Sequence, residues 1–332
     1  MTSSPLLQQM LSSIEAQLHA SADTLGDPAV QEMQIMLSYH LGWSEDSKQT
    51  GKRIRPLLTL LSCSGAGGTW EKALPAAAAV ELIHNFSLIH DDIEDHSATR
   101  RGRPALWKRW GLAQGLNAGD AMFSLAFHTL QVLEENELPA ERILACRRHI
   151  EDACLELTKG QYMDIAFETR ENVSLKEYEL MIGGKTGALL AAAAASGACL
   201  ATDSTAVIDA FHRFGFHLGL AFQIEDDILG IWGDPALTGK PAGDDLLQRK
   251  KTHPILYSLA HSSRFNDGWK RPDTSVFTLI EAMEGVSART DAEKASQKHT
   301  EFALQALSEA LPAGEAANEL EQLSRQLLKR LT

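Results

Sequence analysis

Apolar residues recur at three- and four-residue intervals along most of the chain. Leu6, Leu7, Met10, Leu11, Ile14 and Leu18 fall on one stripe of a 3.6-residue repeat, which predicts an amphipathic helix at the start. The same periodicity predicts helices over 73–90, 138–160, 175–181, 204–228 and 300–331. Alternating apolar and polar runs, the mark of a half-buried strand, are scarce, so the expected fold class is all-α. The most apolar run, 187–201, is mostly alanine and short for a bilayer span; it suits a buried helix whose small side chains allow close packing. Chain breakers cluster at 65–69, 100–104, 233–243 and 262–275, and none resembles an interdomain linker. No short repeat is present, but two acidic motifs near positions 91 and 226 look alike.

The first motif, Ser87-Leu88-Ile89-His90-Asp91-Asp92-Ile93-Glu94-Asp95, places four carboxylates within five residues at the end of an apolar helical run. Asp91 and Asp95 are four apart and share a helix face, with His84 close to that stripe two turns earlier. Like charges at that spacing weaken a helix unless a cation sits between them. Magnesium suits the position, because it binds through one or two carboxylates with phosphate oxygens and water completing its octahedron. Taken alone, the run would be a solvated helix end. Arg100-Arg101-Gly102-Arg103-Pro104 follows within ten residues and reverses that preference, since the guanidinium fork suits phosphate.

Gln223-Ile224-Glu225-Asp226-Asp227-Ile228-Leu229-Gly230 repeats the design at the end of a second apolar helix. Two such helices facing each other would surround several magnesium ions. Lys240 and the run Arg249-Lys250-Lys251 lie downstream, able to offset phosphate charge. Upstream, Gly51-Lys52-Arg53-Ile54-Arg55-Pro56 opens a long apolar helix with three cations, and helix N-termini with basic side chains favour anions. Gly184-Lys185-Thr186-Gly187 sets a lysine and a hydroxyl between glycines, but lacks the longer glycine-bounded loop after a strand that a P-loop requires.

Bulk properties narrow the partners. The 332 residues, 44% hydrophobic and 23% charged, are enough for one large core. A net charge of −13 argues against nucleic acid and requires any phosphorylated substrate to meet a local concentration of cations. The four cysteines form no CxxC pair, which points to a reducing cytoplasm, and residues 1–11 lack the pattern of a secretory signal.

The segments GKRIRP, LIHDDIEDHSATRRGRP, GGKTGAL and FQIEDDILGIWGD, in that order, resemble the trans-isoprenyl diphosphate synthases, the polyprenyl synthetase family of farnesyl and geranylgeranyl diphosphate synthases. The likeness runs over about 45–260. It implies a single isoprenoid synthase domain over 1–332, a helical bundle around a deep apolar pocket, no integral membrane segment and a homodimer. The implied reaction joins isopentenyl diphosphate to an allylic prenyl diphosphate with three Mg2+ ions. By match to the family pattern, Asp91, Asp95 and Asp226 are the chief metal ligands, with Asp92 and Asp227 in support. Arg100, Lys185, Thr186, Gln223 and Lys240 hold the allylic diphosphate, with Lys250 the match beyond them. Lys52, Arg55, His84 and Arg101 grip isopentenyl diphosphate. Asp91, Asp95, Asp226, Lys185 and Arg100 are thereby the expected catalytic groups.

Two departures stand out: Gly230 replaces the family's third aspartate, and Arg249 a glycine. Phe86 and Ser87, five and four residues before the first motif, match the floor that limits chain growth. One bulky residue beside one small one favours a C20 geranylgeranyl product over C15 farnesyl, although Phe86 also suits a plain core position. A class I terpene cyclase and a noncatalytic partner subunit of a synthase are the competing expectations.

Overall fold

A computed structural model describes residues 4–44, 51–234, 242–310 and 314–328. In chain order its elements are α1 (Pro5–Asp23), α2 (Gln31–Leu41), α3 (Ile54–Gly65), α4 (Leu74–Glu94), β1 (Thr99–Arg100), β2 (Arg103–Pro104), α5 (Leu106–Trp110), α6 (Leu112–Thr129) and α7 (Ala140–Thr169). They continue with α8 (Leu175–Ile182), α9 (Ala188–Ala201), α10 (Thr205–Trp232), α11 (Asp244–Leu247), α12 (His253–His261), α13 (Ser263–Trp269), α14 (Val276–Glu284), α15 (Ala288–Ala310) and α16 (Glu315–Leu328). Helices dominate, as the periodicity predicts. The chain forms two compact units, Met1–Ile150 with Ala193–Thr205, and Glu151–Ala192 with Ala206–Thr332.

Three local features differ from expectation. A two-residue hairpin pairs Thr99 with Pro104 and Arg100 with Arg103, and both central residues, Arg101 (φ 51°) and Gly102 (φ 73°), lie in the left-handed region favoured by the tightest hairpin turns. The polar stretch at 262–275 holds α13, whose start is capped by the Ser262 hydroxyl accepting from Phe265 N at 3.1 Å. The run expected as one helix over 300–331 is divided: α15 ends at Ala310 and α16 starts at Glu315, with Pro312, a residue that breaks helical bonding, between them in the sequence.

In the first unit α4 packs against α6, α3 and α1. Its first half, Pro75–Ile83, is buried on every side, because it is nearly all alanine and aliphatic residues. Glu81 is the charged exception, and it meets Arg53 Nη1 at 2.9 Å. Arg53 also donates to Glu15 Oε1 at 2.7 Å and to Leu41 O at 3.0 Å, which fixes the chain at the start of α3. The second half of α4 turns polar and carries the first acidic motif.

In the second unit, α8, α10 and α12 share a core that includes Tyr178, Met181, Ile224, Ile228 and Leu256. Ser174 and Glu177 form a reciprocal capping box that starts α8. Leu175–Ala201 is apolar enough to cross a bilayer by composition, but 83% of its most apolar window is buried within the protein, as expected for the alanine-rich run.

α10 and α15 meet through His217 and His299, whose Nδ1 atoms are 3.1 Å apart, so one ring must donate and the other accept. Burial lowers the His299 pKa to about 4, with His217 and Lys298 adding to the effect. A base depressed in the fold contributes its full stability above the unfolded value near 6.5 and loses it as pH falls through about 4. The urea midpoint is therefore expected to drop between pH 6.5 and 4, and His299→Asn to flatten that slope; an equal slope in the variant would remove the pair from the explanation.

Candidate active site

The first acidic motif lies at the C-terminal end of α4, where unsatisfied carbonyls already carry partial negative charge and repel anions. Asp91 is half-buried, Asp95 is exposed at the C-cap, and the Asp95 amide donates to Asp91 O at 2.8 Å. Asp92 turns inward and is 2% exposed. Its Oδ2 accepts from Arg100 Nε at 2.8 Å, while its buried Oδ1 has no partner. Burial pushes the Asp92 carboxyl above its ordinary range, and Arg100 works against that rise. Acidic groups concentrated where a helix disfavours them, with one buried oxygen unsatisfied, are the donor set a hard divalent cation uses.

A few turns earlier, Arg55 Nη1 stands 3.2 Å from His84 Nε2. Arg101 reaches back from the hairpin to donate to His40 O at 3.4 Å, and a Cβ on Gly51 would lie 3.3 Å from its Nη2. Burial and then the charge of Arg55 and Arg101 hold His84 well below its ordinary pKa, so its ring is neutral. Burial likewise lowers Arg101, and neighbouring Arg53, Arg100 and Arg103 reinforce it. Lys52 is exposed at the same end of α3. Local positive charge is thus concentrated in an acidic chain, as a phosphorylated ligand requires.

The second motif is built around Asp227, which is 5% exposed and held from three elements. Tyr178 Oη of α8 donates to Oδ2 at 2.6 Å, the His253 amide of α12 donates to the same oxygen at 3.2 Å, and Gln223 Nε2 donates to Oδ1 at 3.1 Å. Burial raises the Asp227 carboxyl to about 7 despite these bonds. Gln223 Oε1 in turn accepts from Thr186 Oγ1 at 2.8 Å, so the amide is fixed and both expected residues act in one relay. Asp226, the neighbour of Asp227, is half-buried.

Lys185 and Thr186 sit on a single π-helical turn, Gly183–Gly187, a local widening frequent at functional sites. The turn touches α7 backbone to backbone: a Cβ on Gly160 would strike Lys185 N, and one on Gly184 would lie 2.6 Å from Glu156 O. Lys185 Nζ donates to Asp164 Oδ2 at 2.5 Å. Asp164 and Tyr178 are therefore site residues the motifs did not reveal. Lys240 lies outside the described residues. Lys250 is exposed, and its amide donates to Asp245 O at 3.0 Å. Arg249 explains its own departure from glycine: its φ is 57°, and its guanidinium compensates by donating to Trp269 O and to Arg271 O and stacking on Trp269 at 4.6 Å.

Among the described residues no three His, Cys, Asp or Glu side chains make a metal cage by themselves. Carboxylates beside fixed arginines and lysines are the residue types that diphosphates and divalent cations bind. A sequence profile of polyprenyl synthetases matches residues 43–271. A (2E,6E)-farnesyl diphosphate synthase of Mycobacterium bovis is 47% identical over 249 residues, 74% of this chain and 67% of that protein. A geranylgeranyl diphosphate synthase of Mycobacterium tuberculosis is 36% identical over 330 residues, 94% of this chain and 90% of that one. Among solved structures, geranylgeranyl pyrophosphate synthetase from Pyrococcus horikoshii matches with a TM-score of 0.87 at 30% identity, covering 98% of this chain and 99% of that one. The Corynebacterium glutamicum geranylgeranyl pyrophosphate synthase, complexed with isoprenyl diphosphate and magnesium, matches with a TM-score of 0.82 at 28% identity over 97% and 98% of the two chains. The chain belongs to the polyprenyl synthetase family and is a prenyltransferase of the all-α isoprenoid synthase fold.

Proposed function

We propose that this protein condenses isopentenyl diphosphate with an allylic diphosphate and releases geranylgeranyl diphosphate, C20, in preference to C15. The observation that carries the reading is on α4. His84, within the arginine cluster, and Asp91, within the acidic motif, are seven residues apart, about 10 Å along the helix axis. One helix thus offers both a cation-rich anion site and a metal-type site, which suits two diphosphates rather than the one that a terpene cyclase uses.

In this reading Asp91, Asp95 and Asp226 hold magnesium, three ions in all, with Asp92 and Asp227 fixing the local geometry. Bound magnesium supplies Lewis-acid neutralisation of the departing diphosphate. Arg100, Lys185, Thr186, Gln223, Lys240 and Lys250 bind the allylic diphosphate, and Lys185 exchanges Asp164 for phosphate oxygens. Lys52, Arg55, His84 and Arg101 hold isopentenyl diphosphate with its double bond against the reacting carbon, so that carbon rather than water captures the cation.

The reading takes the chain as one domain over 1–332, and the assembly of each compact unit from non-contiguous segments supports it. Exposed Leu112 and Leu116 on α6, 54% and 38% exposed, support a homodimer. The free thiols Cys63, Cys146, Cys154 and Cys199 suit the cytoplasm.

Purified protein supplied with C5, C10 and C15 starters tests the reading. Elongated products that require isopentenyl diphosphate are expected; a cyclised hydrocarbon formed without it would establish a cyclase, and activity only after addition of a second synthase chain would establish a modulating subunit. Product length has its own test. Phe86 packs against Phe123 at 4.9 Å, Phe123 against Phe127 at 5.0 Å, and Ser87 donates to His84 O at 2.8 Å. Phe86→Ala opens this ring cluster and is expected to add at least one C5 unit to the main product; an unchanged chromatographic profile would show that Phe86 is only core.

A further inference from the structure

α12 begins without a side-chain cap of its own. Thr252, at the N-cap, makes no capping bond, and its buried Oγ1 has no partner. Pro254, the second helical residue, has no N–H. The first amide that α12 can offer is therefore that of His253, and Asp227 Oδ2 accepts it at 3.2 Å. Asp227 thus caps α12 from α10, at the end where a helix favours a carboxylate. A shift of that helix end moves a donor of Asp227.

The place of His253 is fixed in turn from α15, a helix that carries none of the sequence motifs. His253 is 4% exposed, and its Nε2 stands 3.0 Å from Asp291 Oδ2 in the first turn of α15, 38 positions away. An ionised carboxylate only accepts, so Nε2 donates. Nδ1 is buried without a partner, which leaves the Asp291 bond as the polar tie of the imidazole among the described residues. The same ring meets that of Tyr178 edge to face, with centroids 5.7 Å apart, and Tyr178 Oη donates to the Asp227 oxygen that the His253 amide reaches. One imidazole consequently sits between Asp291 and both donors to Oδ2.

We propose that Asp291 is a positioning residue for the second acidic motif, acting through the His253 imidazole to hold the donors of Asp227 and the end of α10 that carries Asp226. The assignment rests on the synthase reading above.

A mutant series tests it, read by calorimetry as magnesium-dependent binding of inorganic pyrophosphate at a temperature well below each thermal midpoint. Asp291→Ala removes the acceptor, and His253→Phe keeps a ring beside Tyr178 but removes the donor. Each is expected to raise the Mg2+ concentration for half-saturation by about 10-fold, the effect of losing a partner that orients metal ligands. Asp291→Asn retains an acceptor oxygen and is expected to stay within about 2-fold of the unmodified protein. Because both losses break one tie, Asp291→Ala in the His253→Phe background should add less than about 2-fold. His253→Gln returns an N–H near the position of Nε2, so it should recover most of the His253→Phe loss, and it keeps the test readable if Asp291→Ala does not fold. His299→Asn loosens α15 against α10 elsewhere and should leave the magnesium dependence unchanged, which separates this tie from a general loosening of the helix. Unchanged dependence in Asp291→Ala, a full second loss in the double variant, or a shift in His299→Asn as large as that in Asp291→Ala overturns the proposal. Prenyl transfer by the unmodified protein reports separately: inactivity there with the expected series refutes the synthase reading alone, and activity with an unchanged series refutes the Asp291 assignment alone.

Discussion

Asp91→Ala and Asp226→Ala are each expected to lower kcat by about a thousandfold or more, because losing a metal ligand removes about 4 kcal/mol of stabilisation from the departing diphosphate. The fold should not suffer. Asp91 shares the negative end of α4 with Asp92, Glu94 and Asp95, so its removal relieves like-charge repulsion and an unfavourable helix dipole. Urea midpoints equal to or above that of the unmodified protein are therefore expected beside the loss of turnover, the opposed pattern of a functional residue held at a cost to stability. Near-normal kinetics in either variant at saturating magnesium would remove these carboxylates from the ligand set. A parallel loss of turnover and stability would make them structural.

Sequence pattern carried the helices further than it carried the site. α4, α8 and α10 are long or clearly bounded apolar stripes, and their spans lie close to the periodicity. The hairpin at 99–104 has two residues per strand, too few for any period to register, although Arg101-Gly102 marked the turn. α13 was hidden because its helical signal is a serine cap rather than an apolar stripe. In the site, residue type and spacing were legible: Asp91 with Asp95, Lys52 with Arg55, and Lys185-Thr186 all follow short-range rules. Partners at long range were not. Tyr178 meets Asp227 across 49 positions and Asp164 meets Lys185 across 21, and nothing local in either segment announces the contact. Arg53 shows the same limit, since its type and motif match those of Lys52 and Arg55 and only burial separates its role from theirs.

Arg53→Met is expected to destabilise the protein by about 3–5 kcal/mol, the usual cost of removing one member of a buried ionic group and leaving its partners charged. The guanidinium is 1% exposed and lies between Glu15 and Glu81, with side chains 31% and 3% exposed. Methionine fills much of the volume but returns none of the bonds, so among the described residues Glu81 keeps Asn85 Nδ2, at 3.0 Å, as its side-chain donor. Replacing Glu81 with Gln in the same chain removes the stranded charge and should recover part of the loss. The function should change with it. Arg53 holds a left-handed backbone conformation, φ 50° and ψ 37°, immediately before α3, and that turn sets where Lys52 and Arg55 lie. The variant should therefore raise the KM for isopentenyl diphosphate more than that for the allylic substrate. A urea-derived loss below about 1 kcal/mol, the range of an exposed pair, would mean that solvent reaches these groups and that Arg53 is not the anchor of the α3 anion site.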